Sequence, residues 1–120
     1  MSEKTVFKKI IDRELPAHII YEDENFMVFL DAFPQNPGHT LVIPKQETLW
    51  VWDVDLYDEY FRLVRKMAKV LKLAYSIDMI LMVVHGEQVP HAHVQLRPCI
   101  DNDGTEKDFD LHAEKIKKFL

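Results

Sequence analysis

The segment from residue 89 to residue 98 constrains the fold most, because apolar and polar side chains alternate along it. Successive side chains of a strand point to opposite faces. We therefore predict a strand with a core face made of Ala92, Val94 and Leu96. The opposite face would carry two imidazoles, an amide and a guanidinium, from His91, His93, Gln95 and Arg97. Such a face is poor core material, so it should either form a binding surface or meet solvent.

Short apolar runs and helical spacing divide the rest of the chain into elements. We predict strands over residues 19–21, 26–30, 40–43, 79–84 and 91–97, and the run over 79–84 should be buried because it does not alternate. Helices are predicted over 5–13, from Asp53 or Asp55 to about residue 73, and over 111–120. The long helix should bury the stripe Leu56, Tyr60, Val64, Met67 and Leu71. Neighbouring strands with few crossovers favour the α+β class, with an antiparallel sheet of about five strands.

Charge and composition limit the kinds of partner. The 120 residues suffice for a single domain, which we place over residues 1–120, and they carry a formal net charge of −5. An acidic chain has no general affinity for nucleic-acid polymers or acidic membranes, so an anionic ligand must be bound by local donors. One cysteine, Cys99, cannot form an internal disulfide, and the first residues do not resemble a signal peptide. We expect a cytoplasmic protein.

The polar face of the segment 91–97 suits a phosphate, because all four of its side chains can donate hydrogen bonds to oxygen anions. A neutral imidazole can also attack phosphorus when its other nitrogen is held protonated by a carbonyl. Two alternatives stay open. His91 and His93 could simply lie on an exposed strand face, or they could bind a metal. Zinc usually needs three or four ligands, and no third ligand is suitably placed in the sequence.

Three segments together resemble the histidine triad (HIT) superfamily. The segment 91–96 resembles its histidine-x-histidine-x-histidine motif, and the segments 7–24 and 29–45 resemble its N-terminal and second signatures. The resemblance covers residues 6–98 in order and leaves a helical tail at 109–120. It implies a HIT-like sheet with one long helix, a short N-terminal helix and a C-terminal helix. It also implies a homodimer that pairs the long helix and a sheet edge across a two-fold axis.

The resemblance assigns a role to each candidate site residue. His93 would be the nucleophile that forms a covalent nucleotidyl-phosphohistidine, and His91, Gln95 and His39 would assist it near the phosphate. Asp31 would accept hydrogen bonds from the two ribose hydroxyls, since a carboxylate offers two acceptors. Gln88 or Glu87 would approach the phosphate from the turn before the strand. The base pocket would be formed by apolar side chains, namely Val6, Phe7, Ile10, Leu15 and Phe29. This scheme requires no cofactor and no metal.

Several of these residues also have ordinary structural interpretations. Val6 and Ile10 could be simple core residues, Asp31 could be a turn former beside Pro34, and His39 could be a loop residue. For Arg97 we favour a surface ion pair over a substrate contact. We also expect His18 and His112 to be exposed, and Trp50 and Trp52 to serve packing or dimer contacts.

The third histidine of the motif is replaced by Gln95, and this departure leaves three hypotheses for function. The leading one is a hydrolase that cleaves nucleoside phosphoramidates, dinucleoside polyphosphates or related nucleotidyl compounds. Glutamine at this place also resembles the transferase and phosphorylase branch, in which the nucleotidyl group passes to a phosphate acceptor. The third hypothesis is a nucleotide-binding module with negligible turnover. Glu87, which stands where the family carries a glutamine, motivates it together with Gln95.

Overall fold

The computed structural model describes residues 3–84 and 89–120, which form three helices and five strands. The elements in chain order are α1 (Val6–Ile11), β1 (Ile19–Glu22), β2 (Phe26–Leu30), β3 (Thr40–Pro44), a short 3-10 turn (Val51–Asp53), α2 (Tyr57–Tyr75), β4 (Ile80–Val83), β5 (Val94–Pro98) and α3 (Phe109–Lys117). The strands pair antiparallel in one sheet in the order β1-β2-β3-β5-β4. The predicted α+β class is confirmed. Of the helices in this described part, none combines the length and hydrophobicity that crossing a lipid bilayer requires.

The two faces of the sheet are covered by different helices. On one face, Val28, Val42, Val94 and Leu96 pack in a core that includes the buried stripe of α2. On the other face, Met27, Phe29, Leu41 and Ile43 pack against Phe7 and Ile10 of α1. Every residue of β2 and β3 is consequently buried. Because side chains alternate along each strand, the polar positions of β5 fall on the α1 face.

Strand β5 begins at Val94, three residues later than predicted. Val42 of β3 is the last residue that pairs with it, opposite Val94, and β3 ends at Pro44. A proline has no N–H to donate, so the ladder between β3 and β5 cannot continue beyond it. The N–H of Ala92 instead bonds the carbonyl of Thr48 at 2.8 Å. The predicted alternation nevertheless holds, because Ala92, Val94 and Leu96 all lie in the core on the α2 face.

Strand β4 is the edge of the sheet, and the prediction that it is buried was wrong. Leu81 and Met82 are 46% and 49% exposed, and Met79 and Val84 beside the strand are exposed as well. A continuous apolar run is typical of a strand covered on both sides. Here the strand pairs only with β5, so its apolar side chains remain uncovered in the single chain.

Helix α2 buries most of its predicted stripe but begins differently. Tyr60, Val64, Met67 and Leu71 are buried, whereas Leu56 is the exposed N-cap residue and makes no side-chain cap. The prediction that Asp53 or Asp55 caps the helix was therefore wrong. The acidic residues of the first turn, Asp58 and Glu59, supply the negative charge that a helix N-terminus favours.

Helix α3 is attached to α2 through His112, which is buried rather than exposed as predicted. Its Nε2 lies 2.9 Å from the carbonyl oxygen of Thr105, which can only accept, so this nitrogen is the protonated one. Its Nδ1 then accepts the hydroxyl proton of Tyr75 at 2.7 Å. The Tyr75 ring in turn meets Gly38, where an added Cβ would approach the ring to 2.7 Å. Gly38 has a φ of +79° and immediately precedes His39.

Candidate functional site

A cavity of about 650 Å³ opens on the α1 face of the sheet. This volume is in the range of small-molecule sites. Its wall contains most of the residues predicted for a site, namely Val6, Phe7, Ile10, Phe29, Asp31, His39, His93 and Gln95. Leu15, predicted to line a base pocket, is exposed and is not part of the wall, whereas the next residues, Pro16 and Ala17, are. Gln88 lies outside the described residues.

His93 and His91 are both buried, with 4% and 2% of their surfaces exposed. The alternative in which both lie on an exposed strand face was therefore wrong. The covering group is helix α1, whose Phe7 ring meets the His93 ring edge-on with centroids 5.0 Å apart. His93 Nδ1 lies 2.8 Å from the carbonyl oxygen of His91 and must donate its proton to it. A neutral ring held in this way carries its lone pair on Nε2.

His91 lies behind the cavity wall rather than in it. Its Nε2–H donates to the carbonyl oxygen of Pro44 at 2.8 Å, in the segment where the ladder between β3 and β5 has ended. Burial lowers the pKa of His91, although the hydrogen bond to Pro44 opposes that effect. A neutral His91 therefore fixes the backbone that carries the acceptor for His93.

His39 is held from both sides of its ring. Its Nδ1 accepts the backbone N–H of Gln35 at 3.0 Å, so Nε2 carries the proton and donates it to Oε1 of Gln95 at 3.1 Å. Burial lowers the pKa of His39 against the opposing effects of Asp31 and Gln95, and the charge of Arg97 lowers it further. Oε1 of Gln95 also accepts from the guanidinium of Arg97 at 3.3 Å. These two donors fix which end of the Gln95 amide faces His39.

Asp31 combines the two interpretations drawn from the sequence. Its Oδ1 accepts the N–H of Phe33 at 2.9 Å, which is the bond of a turn former. Its Oδ2 lies 3.5 Å from Nε2 of His39, and the carboxylate lines the cavity. The backbone of Asp31 also donates to the carbonyl of His39 at 2.9 Å. The turn therefore holds a carboxylate beside the imidazole and still presents it to the cavity.

Arg97 does not form the surface ion pair that we favoured. It is partly buried and lines the cavity, and it has no carboxylate within ion-pair distance among residues 3–84 and 89–120. The same described ranges contain no group of three histidine, cysteine or acidic side chains arranged to hold a metal ion.

Comparison with known proteins identifies the family. The HIT domain family matches this chain over residues 12–97, which is more than half of its length. The chain belongs to the HIT family. A HIT-like protein of Methanocaldococcus jannaschii is 38% identical over 110 residues, covering 87% of this chain and 85% of that protein. The purine nucleoside phosphoramidase of Escherichia coli K12 is 35% identical over 104 residues, covering 80% and 87%.

A solved structure resembles this HIT protein over nearly its whole length. The crystal structure of a HIT-like protein involved in cell-cycle regulation from Bartonella henselae superposes with a TM-score of 0.87 at 32% sequence identity. The match covers 99% of this chain and 98% of that one. It therefore includes α3, which lies beyond the residues that resembled HIT signatures in the sequence.

The cavity of this HIT protein also has walls that sequence reasoning missed. Phe109 opens α3, stacks on His18 with centroids 4.9 Å apart, and lines the cavity together with it. The apolar spacing of α3 indicates a buried face, but nothing in it identifies the neighbour that the face will meet. Gln35 orients His39 through its backbone N–H, so the type of side chain at position 35 does not reveal this role. The missed wall residues are Pro16, Ala17, His18, Leu30, Ala32, Phe33, Gln35, Leu41, Val89 and Phe109, while Arg97, for which a substrate contact was the less favoured option, also lies in the wall.

Proposed function

We propose that this chain is a nucleotide phosphohydrolase of HIT type that works through a covalent phosphohistidine at His93. The observation that carries the proposal is the hydrogen bond from Nδ1 of His93 to the His91 carbonyl, because it leaves the lone pair on Nε2 in the cavity wall. The name of the Escherichia coli relative, a purine nucleoside phosphoramidase, supports nucleoside phosphoramidates as substrates. Dinucleoside polyphosphates and related nucleotidyl compounds are further candidates.

The reaction proceeds in two steps. Nε2 of His93 bonds the α-phosphorus while the bond from phosphorus to the leaving nitrogen or oxygen breaks, and the leaving atom takes the electron pair. An amine leaving group also needs a proton, which solvent supplies because burial keeps His39 neutral. Water then attacks the phosphorus and loses a proton to solvent, the bond to Nε2 breaks and returns its electron pair to that nitrogen, and a nucleoside monophosphate is released. His91 acts as a positioning residue, and the Gln95 amide donates to a phosphoryl oxygen.

Other cavity residues bind the nucleoside. Asp31 accepts from the ribose hydroxyls through oxygens that its turn leaves pointing into the cavity. Phe7, Ile10 and Phe29, with the half-exposed Val6, supply apolar contacts for the base. The two remaining assignments from the resemblance, a base contact by Leu15 and a phosphate contact by Gln88, have no support in the cavity geometry of the described residues.

A second candidate function is a transferase or phosphorylase, and Gln95 is the residue that favours it. A glutamine cannot carry a proton or a positive charge, so it gives less help to a water molecule than a third histidine would. The nucleotidyl group would then pass from His93 to a phosphate acceptor.

Intact-mass spectrometry tests the proposal. The protein is incubated with an adenosine phosphoramidate, and we expect a transient adenylyl adduct that water discharges. His93→Ala should abolish the adduct while circular dichroism shows an unchanged fold. Cys99→Ser, which removes an exposed thiol outside the main cavity, should keep it. An adduct that persists in water but is lost to added phosphate would favour the transferase, and nucleotide binding with neither adduct nor turnover would favour a binding module.

We also propose that the chain acts as a homodimer. The support is the uncovered edge strand β4, whose apolar side chains are exposed together with Leu73 of α2 and Trp52, which stacks on Trp50. An unpaired apolar edge strand is a template for pairing with another chain. Two copies joined through their β4 strands would cover the β4 edge of each copy and form one continuous sheet.

A further inference from the structure

Arg97 holds a buried donor that the described residues leave unsatisfied. Its Nε has no hydrogen-bond partner among residues 3–84 and 89–120, while its NH2 group donates to Gln95 at 3.3 Å. Buried polar atoms in native proteins almost always have partners, so the orphan Nε indicates that the protein does not hold this guanidinium with a full set of hydrogen bonds. The guanidinium also has no carboxylate in ion-pair range within those ranges, so no carboxylate pairs with it directly.

Arg97 supplies the permanent positive charge of the cavity. Among the described residues of the wall, the other basic side chains are histidines, and burial and the charge of Arg97 both lower the pKa of His39. The carboxylate in the wall, Asp31, lies on the His39 side. An anion that enters the cavity therefore meets a guanidinium whose planar fork can bind two oxygens at once.

The position of Arg97 along β5 indicates which part of a substrate it meets. His93, Gln95 and Arg97 follow one another on the same face, and successive same-face positions of a strand are about 7 Å apart. Arg97 thus lies on the opposite side of Gln95 from the nucleophile. It also borders a second cavity of about 420 Å³, lined by Asn36, Leu81, Cys99, Ile100 and Asp101. In phosphoryl transfer the leaving group departs opposite to the nucleophile. With the α-phosphorus bound at His93 and Gln95, we expect Arg97 to meet the groups attached to that phosphorus.

We propose that Arg97 binds an anionic leaving group, so that this site prefers nucleotides whose α-phosphorus is linked to further phosphates over nucleotides linked to an amine. The inference rests on the proposed chemistry at His93. In the first step the bond between Nε2 and phosphorus forms, the bond from phosphorus to the bridging oxygen breaks, and that oxygen takes the electron pair. The guanidinium stabilises the resulting oxyanion, which needs no proton. An amine leaving group must instead be protonated and gains nothing from Arg97.

Two substrates that share the adenosine and the α-phosphorus test this preference. The value of kcat/KM is measured for adenosine phosphoramidate and for diadenosine tetraphosphate with the full chain. Arg97→Gln should lower the value for the tetraphosphate by about 10- to 100-fold, the usual effect of losing hydrogen bonds to a charged group, and that for the phosphoramidate by less than about threefold. Arg97→Lys should fall between, because lysine keeps the charge but loses the fork. Arg65→Gln on the exposed face of α2 is the matched control and should change neither value.

The remaining outcomes separate this inference from the function on which it rests. An equal loss on both substrates would overturn it and make Arg97 a positioning residue for Gln95, and no loss on either would overturn it outright. If the unmodified chain turns over neither substrate, calorimetric titration with ATP and with AMP tests whether Arg97 still forms an anion site. A preference for ATP that Arg97→Gln erases would keep the anion site while the hydrolase proposal fails. Equal affinity of the unmodified chain for ATP and AMP would refute the anion site.

Discussion

The imidazole of His93 donates its Nδ1–H to the backbone carbonyl oxygen of His91 at 2.8 Å. Because the acceptor belongs to the backbone, the protonation pattern of His93 does not depend on which side chain stands at position 91. The His91 side chain acts one step further away, by bonding the carbonyl of Pro44 and so holding its own backbone in place. The two histidines of the motif therefore have unequal parts in the proposed reaction.

Replacing His91 by alanine should slow the reaction without stopping it. The carbonyl acceptor remains but is positioned less well, and small misplacements of reacting groups cost up to about 100-fold in rate. We expect kcat to fall by about 10- to 100-fold with little change in KM, and the adenylyl adduct should still form. Steady-state kinetics and intact-mass spectrometry check this. A loss as complete as that of His93→Ala would contradict the backbone explanation.

Replacing Asp31 by asparagine should weaken binding only of ligands that have ribose hydroxyls. The asparagine keeps an oxygen for the N–H of Phe33, so the turn is retained while the charged acceptor is lost. The Kd of AMP should rise by about 10- to 100-fold and that of 2′,3′-dideoxy-AMP by less than about threefold. Calorimetric titration measures both, with Asp78→Asn at an exposed position as the control. Equal weakening of the two ligands would show that Asp31 does not contact the ribose.

Replacing Phe109 by alanine should weaken nucleotide binding through the cavity wall. The change removes the ring that stacks on His18, and contacts between an aromatic side chain and a base contribute about 1–3 kcal/mol. We therefore expect the Kd of AMP to rise by about 5- to 100-fold. Phe119→Ala, at an exposed position just after α3 and outside the wall, is the matched control. If both variants bind AMP like the unmodified chain, Phe109 has no part in the site.

The stability of the fold should decrease as the pH falls below about 6.5. Burial lowers the pKa values of His39 and His91 below their ordinary value of 6.5, so the unfolded chain takes up protons first as the pH falls. The free energy of unfolding should then drop by up to about 1.4 kcal/mol per pH unit for each histidine, until the folded state also binds protons. Urea unfolding at several pH values measures the slope, and His39→Gln or His91→Gln should each reduce it. A flat profile in this window would contradict the lowered pKa values.

Titration of carboxylates does not interfere with this measurement. The pKa values of Asp12 and Glu22 are lowered mainly by hydrogen bonds to lysine side chains, so their contribution is lost only at more acidic pH. A further decline below about pH 4 is expected from them.

A charge on the edge strand should separate the proposed dimer. Met82→Lys places a lysine on β4, and lysine on an edge strand opposes pairing with another chain. Sedimentation velocity should find a dimer for the unmodified chain and a monomer for the variant. Leu111→Lys, at a residue of α3 that is equally exposed at 49%, should remain dimeric. Dissociation of both variants, or a monomeric unmodified chain, would refute pairing through β4.

The sequence predicted the strands and helices well because each is set by local periodicity. The alternation at 92–96 and the stripe of α2 are visible in the residues themselves, and both occur in the structure. The predictions were wrong where a structural feature depends on residues that are distant in the sequence. Whether the apolar run at 80–83 is central or at an edge depends on the strand order, which periodicity does not contain. The late start of β5 depends on Pro44 of a strand some fifty residues earlier.

The part of the candidate site that consists of motif residues could be predicted from the sequence. Asp31, His39, His93 and Gln95 surround one cavity because β2, β3 and β5 are neighbours in the sheet. The burial of the two histidines could not be foreseen from the strand alone, since it is α1 that covers them. Likewise, that Arg97 has no direct carboxylate partner within residues 3–84 and 89–120 follows from where the carboxylates lie in three dimensions.

Gly38 links helix α3 to the candidate site through the ring of Tyr75. Its missing side chain provides the space that the Tyr75 ring fills, and that ring is fastened to His112 on one side while the chain continues directly into His39 on the other. A methyl group at position 38 would have to displace either the backbone before His39 or the Tyr75 ring that bonds His112. Changes in the last helix and changes before His39 should therefore affect each other through the Tyr75 ring, while the positive φ of Gly38 disfavours any larger residue there whether or not that helix is present.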